Sequence, residues 1–86
     1  MNFKKTKMTD YFRNSILRKR PEFFGREDDI ESWIDHPSHI ETQSDGRKRY
    51  WAWDIKTAKW VRIVVLEDGI TIHNIFFDRG YKGSKS

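Results

Sequence analysis

The feature that most constrains this chain is its C-terminal third, WVRIVVLEDGITIHNIFFDRG, where two apolar segments flank an Asp-Gly pair. Residues 60–66 and 70–77 carry the β-branched and aromatic side chains of strands, and Asp68 followed by Gly69 is a strong short-range hairpin signal. Strands this apolar need a buried face, so the hairpin is expected to carry the core. A two-residue turn sets Glu67 opposite Ile70, Val65 opposite Ile72, Ile63 opposite Asn74 and Val61 opposite Phe76. Between them, Leu66 meets Thr71, Val64 meets His73, Arg62 meets Ile75 and Trp60 meets Phe77. Alternation then gathers Val61, Ile63, Val65, Ile70, Ile72, Asn74 and Phe76 on the core side. The opposite side holds Arg62 and His73 amid Trp60, Val64, Leu66, Ile75 and Phe77. An apolar surface studded with Arg and His has the character of a half-open groove or a partner-binding face.

Eighty-six residues suffice for one domain and one core. A hydrophobic content of 36% is low, but four Trp, six Phe and three Tyr bring large contact area per residue. Cysteine is absent, which excludes a disulfide framework and thiolate chemistry and fits a reducing compartment. With no apolar run of transmembrane length and no signal-like segment, the expectation is a soluble cytoplasmic protein without a membrane partner. The net charge of +4 is segregated. Residues 1–20 hold seven basic side chains against Asp10, residues 21–45 eight acidic ones against Arg26, and residues 46–62 six basic ones against Asp54. Such a layout can steer an anionic partner, including nucleic acid, to one side; it can equally be a solubilising surface whose segments pair with one another.

Upstream of the hairpin, residues 1–8 read as a basic arm, or as a short edge strand over 1–5. Thr9 is placed to cap a helix running to Lys19, with Tyr11, Phe12, Ile16 and Leu17 as its apolar stripe and Pro21 as its stop. Phe23 and Phe24 read as core anchors. A second helix over 26–35 has Glu27, Asp28 and Asp29 at its positive end and Ile30, Trp33 and Ile34 on one face. Residues 39–43 and 47–55 read as further strands, and the tail after Gly80 as loose. The order gives a single α+β domain spanning 1–86, with two N-terminal helices packed on a three- to four-stranded antiparallel sheet. Whether Arg49, Trp51 and Trp53, or Tyr50, Ala52 and Asp54, share the His73 side depends on the turn near 56–59, because a one-residue slip reverses every side chain.

Paired-acid, nucleophile-elbow, zinc and phosphate-loop patterns are missing from the sequence, so no cofactor or metal is expected. Metal-free RNA cleavage is the enzyme chemistry that a small basic protein can support. It needs a proton-transfer group and cations that hold the phosphate. His73 suits the first role and Arg62 is its expected catalytic companion. Arg49, Arg62 and Arg79 are candidate phosphate clamps, with Lys48 as a further cation. Tyr50, Trp51, Trp53 and Tyr81 are candidate stacking surfaces for bases. The plain alternatives are a packed histidine, a local turn at Asp78 and Arg79, and tryptophans that serve packing.

The stretches TDYFR at 9–13, KRP at 19–21, DHP at 35–37, QSDGR at 43–47, LEDG at 66–69 and HNIFFDR at 73–79 resemble a small bacterial family sharing that pattern. More distantly, helices followed by a DGR turn and an antiparallel hairpin resemble the DUF4258 and BrnT-like branch of RelE/ParE-type toxins. That likeness implies a RelE/ParE-like fold, a toxin acting on RNA as a ribonuclease, and a cognate small antitoxin protein as partner. The resulting expectation is a toxin-like RNA-binding protein, with metal-independent RNA cleavage as its enzymatic form. The alternative is a non-catalytic module whose aromatic and basic face docks a protein partner or a second copy in a homo-oligomer.

Overall fold

The computed structural model describes residues 12–69 and 71–82. A wide π-helical turn, Phe12–Ile16, runs into α1 (Leu17–Lys19), and Pro21 opens a 3-10 turn over Pro21–Phe23. Helix α2 (Glu27–Asp35) follows, then strands β1 (His39–Thr42), β2 (Lys48–Asp54), β3 (Lys59–Val65) and β4 (Ile72–Phe77). The strands form one antiparallel meander in the order β1-β2-β3-β4, giving an α+β arrangement of helices on a four-stranded sheet. Among the described residues, no helix is long and apolar enough to cross a membrane. The expected arm, the Thr9 cap and Tyr11, together with Ile70 and positions 83–86, lie outside the described residues.

The core fills the space between the helices and one sheet face. Phe12, Leu17, Phe23 and Ile30 enter it from the helical side; Val61, Ile63, Val65, Ile72 and Ile75 enter it from β3 and β4, all almost fully buried. Acidic residues crowd the first turn of α2, where the exposed N–H groups favour negative charge, and Ile30, Trp33 and Ile34 form its buried stripe. Phe23 packs against Phe77 at 4.7 Å and against the edge of Trp33 at 6.3 Å. Phe24 is not the second anchor that its composition suggested. The turn ends at Phe23, Phe24 takes an extended conformation, and its side chain is left 67% exposed.

The last hairpin differs from the regular one in two ways. The Leu66 N–H donates to the Thr71 carbonyl and the Gly69 N–H to Leu66, so the connection is four residues long, not two. Asp68 closes this wider loop by accepting the Thr71 N–H at 2.8 Å and its hydroxyl at 2.6 Å. Gly69 holds a φ of +74°, a conformation that costs glycine little. Further on, Val65 pairs with Ile72 whereas Val64 pairs with Asn74, so His73 is the extra residue of a β-bulge. Beyond it the pairing is Ile63 with Ile75, Arg62 with Phe76 and Val61 with Phe77.

The reason is visible in the spacing of the apolar side chains. Ile72 and Ile75 are three residues apart, and strict alternation sends one of them to the outer face. It also drives Asn74 into the core, where an unpaired amide costs roughly 1–3 kcal/mol. The bulge absorbs one residue, lets both isoleucines reach zero exposure, and moves Asn74 to the outer face.

A charged knot ties α2 to the β2–β3 turn. Asp54, 2% exposed, accepts two bonds from the Arg26 guanidinium at 2.8 and 2.9 Å, one from the Thr57 hydroxyl at 2.7 Å and one from the Lys56 N–H at 3.2 Å. Arg26 also binds Asp29 through two N–H groups, and its cation lies 5.2 Å from the Trp33 ring centre. The Arg26 hydrogen bonds hold the Asp54 carboxyl below its usual range despite burial, and Asp29 is lowered by the same guanidinium.

Two outcomes follow. Deleting His73 restores simple alternation from Ile72 through Asn74 to Ile75. The shortened chain should therefore unfold cooperatively within about 1 kcal/mol of the parent in a denaturant titration, whereas deleting Ile75 should abolish the transition. Replacing Asp54 by Asn removes the buried one of the two carboxylates that bind the half-buried Arg26 guanidinium, leaving Asp29, and should cost about 2 kcal/mol at neutral pH. Because the folded carboxyl titrates below its unfolded value, its stabilisation is complete above about pH 4 and fades as pH falls through the folded value. The gap between parent and Asp54→Asn should narrow on acidification; a gap constant with pH would contradict the ion pair.

Candidate nucleic-acid interface

The sheet face opposite the helices is built by register. Trp51 pairs with Arg62 and Trp53 with Trp60, so Arg49, Trp51 and Trp53 of β2 lie on the same side as Trp60, Arg62 and Val64 of β3. The connection from Asp54 to Lys59 is four residues long and settles the side on which the tryptophans fall. The bulge places Asn74 and Phe76 of β4 beside them, and His39 and Glu41 of β1 complete the face.

Among the described residues no helix lies on this face, yet Trp51 and Trp60 are only 4% and 8% exposed. The chain after β4 folds back over them. Asp78 is its fastener: its N–H donates to the Trp60 carbonyl, and its carboxylate accepts the Trp51 indole N–H at 2.9 Å and the Gly80 N–H at 3.0 Å. Tyr81 then stacks on Trp51 at 4.7 Å with only 12° between the rings, and meets Trp60 edge-on at 4.9 Å. Tyr81 is thus packed, where the tail had been expected to be loose. Arg62 sits 4.5 Å from the Phe76 ring centre and 5.9 Å from that of Trp51, with its Nε 3.5 Å from the Asp78 carboxylate. At that distance the charges pair, but the alignment is too poor for a hydrogen bond, and Nε has no other partner.

Where the face meets the start of β3 and the end of β4, a slot of about 250 Å³ opens. Trp53 and Tyr81 each stand nearly perpendicular to Trp60, which gives three aromatic walls, and Phe77 adds apolar surface. Lys59 and Arg79 line the same slot. Such a slot suits a flat ring between aromatic surfaces, with its negative substituents turned toward the cations.

At the other end of β4 the bulge opens a notch lined by Ile16, Lys19, Arg20, His73 and Asn74. The expected catalytic pair is therefore divided. His73 faces a notch shared with two cations of the first helical segment, while Arg62 does not line it and is engaged by Asp78 and two rings. Among the expected binding residues, Trp51, Trp53, Tyr81 and Arg79 come together around the slot and its fastener. Arg49 lies further along the same face, 3.9 Å from the Glu41 carboxylate. Lys48 and Tyr50 alternate to the helix side, where Tyr50 packs against the core.

A third recess, of about 420 Å³, lies between α2 and the end of β2, with the Arg26 and Asp54 knot in its wall. The carboxylate already accepts four hydrogen bonds, and the guanidinium has most of its donors occupied. It is a structural joint.

Sequence reasoning missed Asp78 as the organiser of the face, Trp60 and Lys59 as parts of the slot, and Lys19 and Arg20 as neighbours of His73. The adjacent polar pair His73 and Asn74 between isoleucines was the one available signal of the bulge. Replacing Asp78 by Ala should cost about 2 kcal/mol, since a charged acceptor is removed from a buried indole N–H. It should also weaken the near-ultraviolet dichroism of the stacked rings. Arg62→Met combined with it should cost less than the sum of the single changes, because each leaves the other group without its partner.

No family model, curated protein or solved structure matches this chain, so its interface is defined by its own geometry.

Proposed function

We propose that the protein binds single-stranded RNA on its outer sheet face, with one base inserted in the slot formed by Trp53, Trp60 and Tyr81. The observation that carries this reading is the slot itself: three aromatic walls with Lys59 and Arg79 among its lining. Base stacking on aromatic side chains contributes about 1–3 kcal/mol per base, and flanking cations supply the salt-dependent attraction to phosphate. A protein-docking role for the same face is the competing reading; against it, the slot pairs aromatic walls with Lys59 and Arg79, and the one acid among its described lining, Asp78, is already engaged by Trp51, Gly80 and Arg62, which leaves the cations to favour an anionic ligand.

Fluorescence anisotropy with labelled single-stranded RNA tests this directly. Affinity should fall steeply with salt, and Trp53→Ala should weaken it by about 10- to 100-fold, the equivalent of one lost stacking contact. Salt-insensitive capture of a protein with no RNA affinity would overturn the RNA reading in favour of docking.

A toxin-type ribonuclease is the second reading. It is favoured by the half-buried position of His73 at the bulge, open to a notch and not packed in the core. In that reading His73 transfers the proton of the ribose 2′-hydroxyl. Incubating purified protein with cellular RNA beside a His73→Ala control should then give cleavage that the substitution abolishes; equal RNA profiles would reduce the activity to binding.

A further inference from the structure

We propose that the notch at the β4 bulge seats a backbone phosphate of the same RNA strand whose base fills the aromatic slot. This inference rests on the RNA-binding reading above and adds a second anchoring point, at a defined distance along the strand.

The chemistry of the notch is one-sided. Its lining brings the Lys19 ammonium, the Arg20 guanidinium and the His73 imidazole together, and among the described residues no carboxylate lines it. Asn74 contributes in the same sense. Its side-chain oxygen accepts the Ile75 N–H at 2.8 Å, and its NH₂ brings two further donors. An enclosure that offers donors and positive charge, with Ile16 as its apolar side, is complementary to a compact oxyanion. The bulge is what creates it. The extra residue leaves His73 and Asn74 adjacent at the rim, next to the last turn of α1.

A line of side chains connects notch and slot. The Arg20 guanidinium lies 5.8 Å from the centre of the Phe76 ring, and Arg62 lies 4.5 Å from the same ring. Arg62 in turn reaches Trp51, on which Tyr81 of the slot is stacked. With Trp51 covered by Tyr81, the accessible path runs over Arg20, Phe76, Arg62 and Tyr81, cations and aromatic rings in alternation, the pattern that tracks a single strand. Trp60 in the slot and Val64, the partner of Asn74, lie four residues apart on β3. At the usual strand rise and spacing, the two anchoring points are about 14 Å apart. That is beyond the reach of a single nucleotide, so the phosphate in the notch belongs to another nucleotide of the same strand.

Two linked weak contacts raise affinity far more than either alone, and only for a ligand long enough to span them. The test compares adenosine monophosphate with single-stranded oligoadenylates of increasing length, titrated against the full chain. Oligomers that span the gap should bind at least tenfold more tightly than the mononucleotide. Lys19→Glu, at an exposed position, should remove most of that gain and leave the mononucleotide unchanged. Arg20→Gln should act in the same direction, and losing the notch should reduce the slope of log affinity against log salt by about 0.7, the effect of one lost phosphate contact on a single strand. Oligomer binding that depends on Trp53 but ignores both notch substitutions would overturn the notch and leave the RNA reading standing. No oligonucleotide binding at any length would overturn both.

Discussion

Two isoleucines three residues apart on one strand cannot both enter a core unless the ladder absorbs a residue between them. That constraint governs this molecule. Ile72 and Ile75 are both fully buried, and the β-bulge at His73 is the means. Every pairing from Val64 to Val61 depends on it, as does the side taken by Asn74, Ile75, Phe76 and Phe77. The irregularity that completes the core also opens the notch lined by His73 and Asn74. Packing and the candidate binding surface thus share one cause, in keeping with the concentration of bulges where a strand must redirect a side chain.

The two sheet faces are closed by different means. On the inner side, apolar helical faces exclude water, and the Arg26 and Asp54 pair fixes the angle of α2 against the β2–β3 turn. On the outer side none of the described helices packs. A short segment folds over the tryptophans and is held by one carboxylate, Asp78, which joins Trp51, Gly80 and Arg62. Tryptophan and tyrosine suit such a layer because each brings a large apolar body and a polar handle that can find a partner at the margin. The outer layer is consequently thin and ring-lined. Arg62 belongs to that layer, with its charge offset by Asp78 and its plane set against aromatic rings.

Much of the fold was legible in the chain. The apolar stripe of α2, the acidic residues at its start and the Asp-Gly signal of the last hairpin are local patterns, and local patterns survive into the structure. The stop at Pro21 and an antiparallel sheet of three to four strands were legible for the same reason. The register beyond the turn was not, because Asp68 reached for Thr71 and widened the loop, and because the bulge is decided by competition among Ile72, Asn74 and Ile75 for the core. Of the candidate residues, Trp53, Tyr81 and Arg79 line the slot and Trp51 stacks against Tyr81, a grouping that the sequence left open because the face of Trp51 and Trp53 hung on the register of β2. Lys48 and Tyr50 were not separable from them until the alternation of β2 was known.

By itself, the sequence determined the class of the fold, the placement of its elements, and the presence of an aromatic and basic surface, since hydrophobic period and charge segregation are written residue by residue. Only the tertiary structure decided which side chains meet. It joined Arg26 to Asp54 across 28 positions, brought Lys19 and Arg20 to His73, and committed Arg62 to Asp78. The physical reason is that such contacts depend on how strands are registered and how helices settle on them. A shift of one residue in a ladder exchanges one face for the other, and no local pattern in the chain carries that choice.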